Sequence, residues 1–336
     1  MGNIILNGIT PAAGKIKLGS QNVNKIYVGD TKVFPAISYV FQNRSELDTA
    51  IALFASDNQS ALDTYGEMST WAFAPELTDM SNLFNRNTPY NVALSLGPST
   101  DFSNWDVSNV TNMGGMFKSQ SNYNGNLNSW NVSNVTNMGD MFFLAYKFNS
   151  PIGAWNVSNV TNMQGMFGFC YDFNQDISSW DVSSVINMSL MFVAANTFNQ
   201  NINSWDVSNV TNMQNMFGSM SAFNQPLNNW DVSSVTDMSS MFNNTDSFNQ
   251  PIGAWNVSNV TNMQGMFNDA IAFNQPIEDW NVSNVTNMNS MFKSTIAFNQ
   301  NISGWCVTNI SSEPTDFSLN SVLSESNKPV WGTCPP

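Results

Sequence analysis

The chain has 336 residues, of which 42% are hydrophobic and only 10% charged, with a formal net charge of −14 and no histidine. That balance excludes general binding to nucleic acid or to an anionic membrane surface, and the missing imidazole excludes histidine-based triads and metal sites. No stretch approaches the ~20 apolar residues a membrane-spanning helix requires.

Charge is uneven along the sequence. The first 44 residues hold Lys15, Lys17, Lys25, Lys32 and Arg44 against Asp30, so a net −18 falls on the rest. Residues 1–35 read as a small β-module. Lys25–Val28 and Thr31–Phe34 flank Gly29-Asp30, a two-residue turn suited to a tight hairpin, and Ile4–Leu6 and Lys15–Leu18 supply two further short strands. So small a sheet is marginal alone and needs a partner surface. Lys17, Lys25, Tyr27 and Lys32 are its candidate anchor residues, either as a docking face for an acidic partner or as ordinary solvated lysines. Met1-Gly2 and the apolar residues after it lack the charged start of a secretory signal.

Residues 36–100 read as a helical N-terminal cap followed by a degenerate repeat. Ser45 and Asp48 resemble a capping box, and Leu47, Ile51 and Phe54 follow at helical spacing, predicting a helix over 45–56. Leu77–Phe84 copies Val110–Phe117 position by position, and an insertion around Pro89–Pro98 separates the two.

Residues 101–305 are dominated by one phrase. Tryptophans fall at 105, 130, 155, 180, 205, 230, 255, 280 and 305, each opening a unit of 25 residues without insertion. A fixed period of this size marks stacked supersecondary units that bury their apolar faces only against neighbours. The predicted class is therefore α/β, a solenoid of 25-residue coils. Within Trp205–Asn229, the i, i+3, i+4 spacing of Met213, Met216 and Phe217 predicts a short helical turn, and Phe223–Leu227 predicts a short parallel strand limited by Pro226. Recurring asparagines (109/134/159 and 149/174/199) read as structural ladders. The Asp/Asn column after each tryptophan lacks the glycine-rich turn and clustered carboxylates of a calcium site, and no metal or cofactor is expected.

Residues 306–336 read as a C-terminal cap. Cys306 and Cys334 either close a disulfide over the open end or remain two thiols, while Cys170 reads as a small buried hydrophobe. No phosphate loop, paired-cysteine metal site or nucleophile elbow occurs, so a non-enzyme is expected. The repeats vary most in the five residues after each Met-Phe. Stacking there sets Tyr146 beside Tyr171 and Leu144 beside Phe169. Phe143, Tyr146, Phe169 and Tyr171 are thus candidate ligand-binding residues, with gap-filling packing as the alternative.

The unit Trp-Asp-Val-Ser-Asn-Val-Thr-Asn-Met-x-x-Met-Phe with Phe-Asn-Gln-x-Ile resembles the BspA-like leucine-rich-repeat surface proteins over about residues 45–336. The resemblance implies a right-handed, leucine-rich-repeat-like solenoid used for adhesion. The front departs from that family. Lys17-Leu18-Gly19-Ser20 through Lys25-Ile26-Tyr27-Val28-Gly29-Asp30 and Val33-Phe34 is similar to short N-terminal segments of tailed-phage structural proteins. That likeness implies a virion fibre, decoration or adhesin, made in the host cytoplasm and displayed on the virion surface. Residues 1–35 would then hold a capsid or tail protein, and the repeats would bind a host-surface glycan or protein. A bacterial cell-surface adhesin of the same repeat family, or a passive shell decoration, is the alternative.

Overall fold

The computed structural model of the chain describes residues 39–86 and 94–335, with the backbone of four two-residue strands in the first 38. Strand β1 (Lys17–Leu18) pairs antiparallel with β2 (Gln21–Asn22), and β3 (Tyr27–Val28) with β4 (Thr31–Lys32). Tyr27 lies opposite Lys32 and Val28 opposite Thr31, so the second pair flanks residues 29 and 30. Ile4–Leu6 and Lys25 fall outside the described residues.

The next element along the chain is a cap. Helix α1 (Arg44–Ser56) starts one residue earlier than predicted, and its N-cap is Asn43, not Ser45. The Asn43 side chain accepts from the Glu46 N–H, while Glu46 reaches back to the Gln42 N–H. Reciprocal capping of this kind satisfies two of the amides a helix start leaves open. A second helix, α2 (Asn58–Tyr65), escaped the sequence reading because Ala61 is its sole fully buried residue; Asp57 caps it. Strand β5 (Val40–Phe41) pairs parallel with β6 (Ala72–Phe73). Leu47, Ala50, Ile51 and Phe54 are buried, and the Phe54 ring meets Trp71 at 5.4 Å. Trp71 in turn stacks on Trp105 at 6.2 Å and 13°, joining the cap to the repeats.

From there the chain climbs in units of 25 residues. Parallel bridges link Asn112, Asn137, Asn162, Asn187, Asn212, Asp237, Asn262 and Asn287 in sequence, and Asp79 of the degenerate repeat begins the series. The ladder runs along the methionine segment, where a helical turn was expected. Met213, Asn215, Phe217 and Ser219 each donate their N–H to the following unit, at 2.7–3.0 Å, whereas Met216 and Gly218 donate three residues back. Consecutive turns therefore alternate with inter-unit bonds, and every second amide serves the neighbour. Asn215 and Ser219 sit in the left-handed region (φ 53° and 58°), which no continuous helix admits. Turns closing three residues apart give the same one-sided apolar spacing as a helix, which is why the pattern misled.

The Phe223–Leu227 segment forms no bridge. Its inter-unit link is a side-chain ladder, in which the Asn224 N–H and the Gln225 amide both donate to Asn199 Oδ1. Pro226 therefore interrupts no backbone ladder. Asn174 and Asn199 do the same along the array. The other asparagine column bonds backbone: Asn134 and Asn159 donate to the carbonyls of Ser108 and Ser133.

Tryptophan suits the interior because the indoles of the regular array each find a carbonyl on the neighbouring coil. Trp155 and Trp205 donate Nε1–H to Leu127 and Ile177, 28 residues back, at 3.0 and 3.1 Å. A buried indole N–H without such a partner would oppose folding. Adjacent rings lie nearly parallel, 6.4 Å and 3° apart for Trp155 and Trp180. Phenylalanines form a second stack, with Phe167 and Phe173 4.0 Å apart within one unit.

The last unit slips by one residue. Ser290 and Phe292 donate to Thr315 and Phe317, 25 residues on, where Ser240 and Phe242 reach only 24. Phe317 consequently meets Phe292 edge-on at 86°. Cys306 and Cys334 are joined as a disulfide. Lys328, whose side chain is 8% exposed, bridges Glu313 and Glu325 at 2.8 and 2.7 Å. Burial opposes its charge, but these two bonds outweigh that and hold its ammonium above the ordinary value.

Candidate ligand-binding surface

Each unit carries its variable residues directly after the turn ribbon, so the ribbon's geometry fixes where they point. The third variable position is inward: Ala145, Cys170, Ala195, Met220, Thr245, Ala270 and Thr295 have no exposed area. Burial raises the Cys170 thiol well above its ordinary pKa, which suits a packed hydrophobe and not a nucleophile. The next residue in each unit emerges to solvent.

There the structure brings the four candidate aromatics together. Tyr146 and Tyr171, 36% and 38% exposed, stack at 5.0 Å and 19°. Phe143 meets Phe169 edge-on at 5.4 Å, and Phe169 meets Tyr171 at 6.5 Å. The neighbour of Phe169 is thus the Phe143 ring. The two phenylalanines are half-buried, and a Cβ built on Gly168 would lie 2.7 Å from the Phe143 ring. Phe143 therefore fills the space that Gly168 leaves, and Lys118 covers it at 4.8 Å. The tyrosines are what the surface offers.

Next to them in sequence, Lys147 and Asp172 pair across units at 3.1 Å. Both line a cleft with Leu96, Pro98, Asn122 and Asn124. The cleft exists because residues 94–98, just before the first regular repeat, fold back on the array. Gln120, fully buried, holds them there: its Oε1 accepts from the Leu96 N–H at 2.9 Å, and its amide donates to the carbonyls of Phe84 and Leu94. Sequence reasoning missed Gln120, although a polar residue in an otherwise small, inward column was the available signal. An aromatic pair beside amides and an ion pair can stack against and hydrogen-bond a polar ligand.

Three further aspartates serve turns. Asp181, Asp206 and Asp231 accept from Ser183, Ser208 and Ser233 two residues on. The serine hydroxyls, then the serine N–H groups, hold these carboxyls below their ordinary value, while Asp206 pushes its two neighbours slightly up. Among the described residues, no three histidine, cysteine or carboxylate side chains converge as a metal site would require, and no helix is long and apolar enough to cross a membrane. Of the anchor candidates, Lys17, Tyr27 and Lys32 lie in β1, β3 and β4.

A family profile described as "Mycoplasma protein of unknown function, DUF285" matches residues 52–168, 78–197, 150–238 and 220–328. The overlapping matches cover the cap and the repeats alike. No curated protein and no solved structure matches the chain.

Proposed function

The chain belongs to the DUF285 family, and on that premise we propose that it is a non-enzymatic display protein of a phage virion. Residues 1–35 anchor it to a capsid or tail protein, and the repeats form a right-handed solenoid of the leucine-rich-repeat class, projecting to bind a host-surface glycan or protein. The observation that carries the display reading is the exposed Tyr146–Tyr171 stack beside the Lys147–Asp172 pair. Large rings left at a surface, when every other aromatic column of the array is buried, mark a place where something else packs. The virion assignment is supported by the likeness of the N-terminal segment to phage structural proteins.

The family description names a cellular bacterium, which favours a second reading as a bacterial surface adhesin. Two experiments separate these. Changing Tyr146 and Tyr171 to Ser should abolish capture on a glycan array with melting nearly unchanged; retained capture would remove the tyrosines from the site, and a large fall in melting would make them packing. Deleting residues 1–35 should leave a folded repeat domain that no longer joins particles. Incorporation at full level would place the anchor elsewhere.

A further inference from the structure

The exposed position that holds Tyr146 and Tyr171 recurs in the seven units that open at Trp130 to Trp280, Ser121 of the first unit being half-buried, and reading it along them gives an ordered series. It runs Tyr146, Tyr171, Asn196, Ser221, Asp246, Ile271 and Ile296. All seven are exposed, the isoleucines by 41% and 58%. The apolar residues thus occupy both ends, polar ones the middle, and the series is self-complementary when reversed. Tyr146 answers Ile296, Tyr171 answers Ile271, Asn196 answers Asp246, and Ser221 answers itself.

We infer that this face pairs with the same face of a second copy of the chain, antiparallel, about a two-fold axis level with Ser221. In that register each tyrosine packs on an isoleucine and the Asn196 amide donates to the Asp246 carboxylate of the second copy. The adjoining column fits as well. Lys147 and Asp172 come to lie over Ala297 and Ala272, so no like charges meet. A parallel pair about the same column would set Asp246 on Asp246, which repulsion disfavours. Charge points to the same face. The whole chain carries −14, yet these two columns over seven units hold one lysine and two aspartates. Two copies approaching by this face therefore meet only a weak field.

Geometry permits the contact. Adjacent tryptophan rings differ by 3–7° where they stack, so the units they join turn little from one to the next. Six unit steps of about 4.8 Å make the column about 29 Å long. Pairing covers the tyrosines, so it competes with ligand capture there without depending on it.

Sedimentation velocity across a concentration series tests this on the full chain. The expected result is a monomer–dimer equilibrium that tightens with salt as the net negative charge is screened. Ile271→Asp with Ile296→Asp should weaken it at least tenfold while glycan-array capture and melting persist. Ser221→Cys should form an interchain disulfide under mild oxidation, Ile296→Cys alone should not, and Ile296→Cys mixed with Tyr146→Cys should. A chain that stays monomeric at the highest concentration reached, or self-cross-linking of Ile296→Cys, would overturn the inference. Loss of glycan capture in the tyrosine variant without any change in the Ser221→Cys cross-link would count against the pairing alone.

Discussion

Leu190 sits in the left-handed region at φ 60°, in a column that otherwise holds glycine, asparagine, aspartate or serine. A leucine there strains its backbone, whereas asparagine visits this conformation readily. Because Leu190 is only half-buried, Leu190→Asn should raise stability by about 1 kcal/mol, read from thermal or denaturant unfolding. A loss would mean that its packing outweighs the backbone gain. Gln120 makes the opposite case. Replacing it with Leu keeps the volume but strands the Leu96 N–H and two carbonyls, so unfolding should become easier by about 2–3 kcal/mol. Hydrogen exchange at Leu96 should rise with it, and unchanged exchange would show that the insertion is held by other contacts.

The turn after each tryptophan is one element whose chemistry depends on pH. Asp181, Asp206 and Asp231 are held below the ordinary carboxylate value by their serines. A depressed folded-state pKa adds stability that is present above the unfolded value and lost as pH falls through the folded one. Melting temperature should therefore drop on acidification below about pH 4. Replacing all three with Asn should flatten that drop, since Asn156 and Asn281 already make the same turn without charge; an unaltered acid profile would assign it to other carboxylates. The period of 25, the buried tryptophans and the inward third variable position were legible because one residue type repeats in one place. The ribbon of turns was not, because turns closing three residues apart and a helix leave the same apolar spacing. Asn43 was overlooked as a cap in favour of Ser45, since both stand before the apolar spacing that begins at Leu47 and only geometry selects between them. The pairing of Tyr146 with Tyr171 could be read from the period alone, whereas the Phe143–Phe169 contact required knowing that Gly168 leaves room for a ring.

At the scale of the molecule, identical units stacked in one register make the array modular. Each unit satisfies its neighbour through the same backbone bonds, the same indole–carbonyl bond and the same asparagine ladder, so stability accrues between adjacent units. The surface columns on which the proposed display and pairing rest exist only because that register is kept from Trp105 to Trp305. Removing residues 206–255 joins Trp205 to Asn256 and deletes two whole units without shifting any column. Small-angle scattering on dilute protein then measures the consequence directly. The account predicts a cooperatively folded chain whose longest dimension falls by about 10 Å with an unchanged cross-section, while an unfolded chain, or one that shrinks equally in every direction, would contradict it.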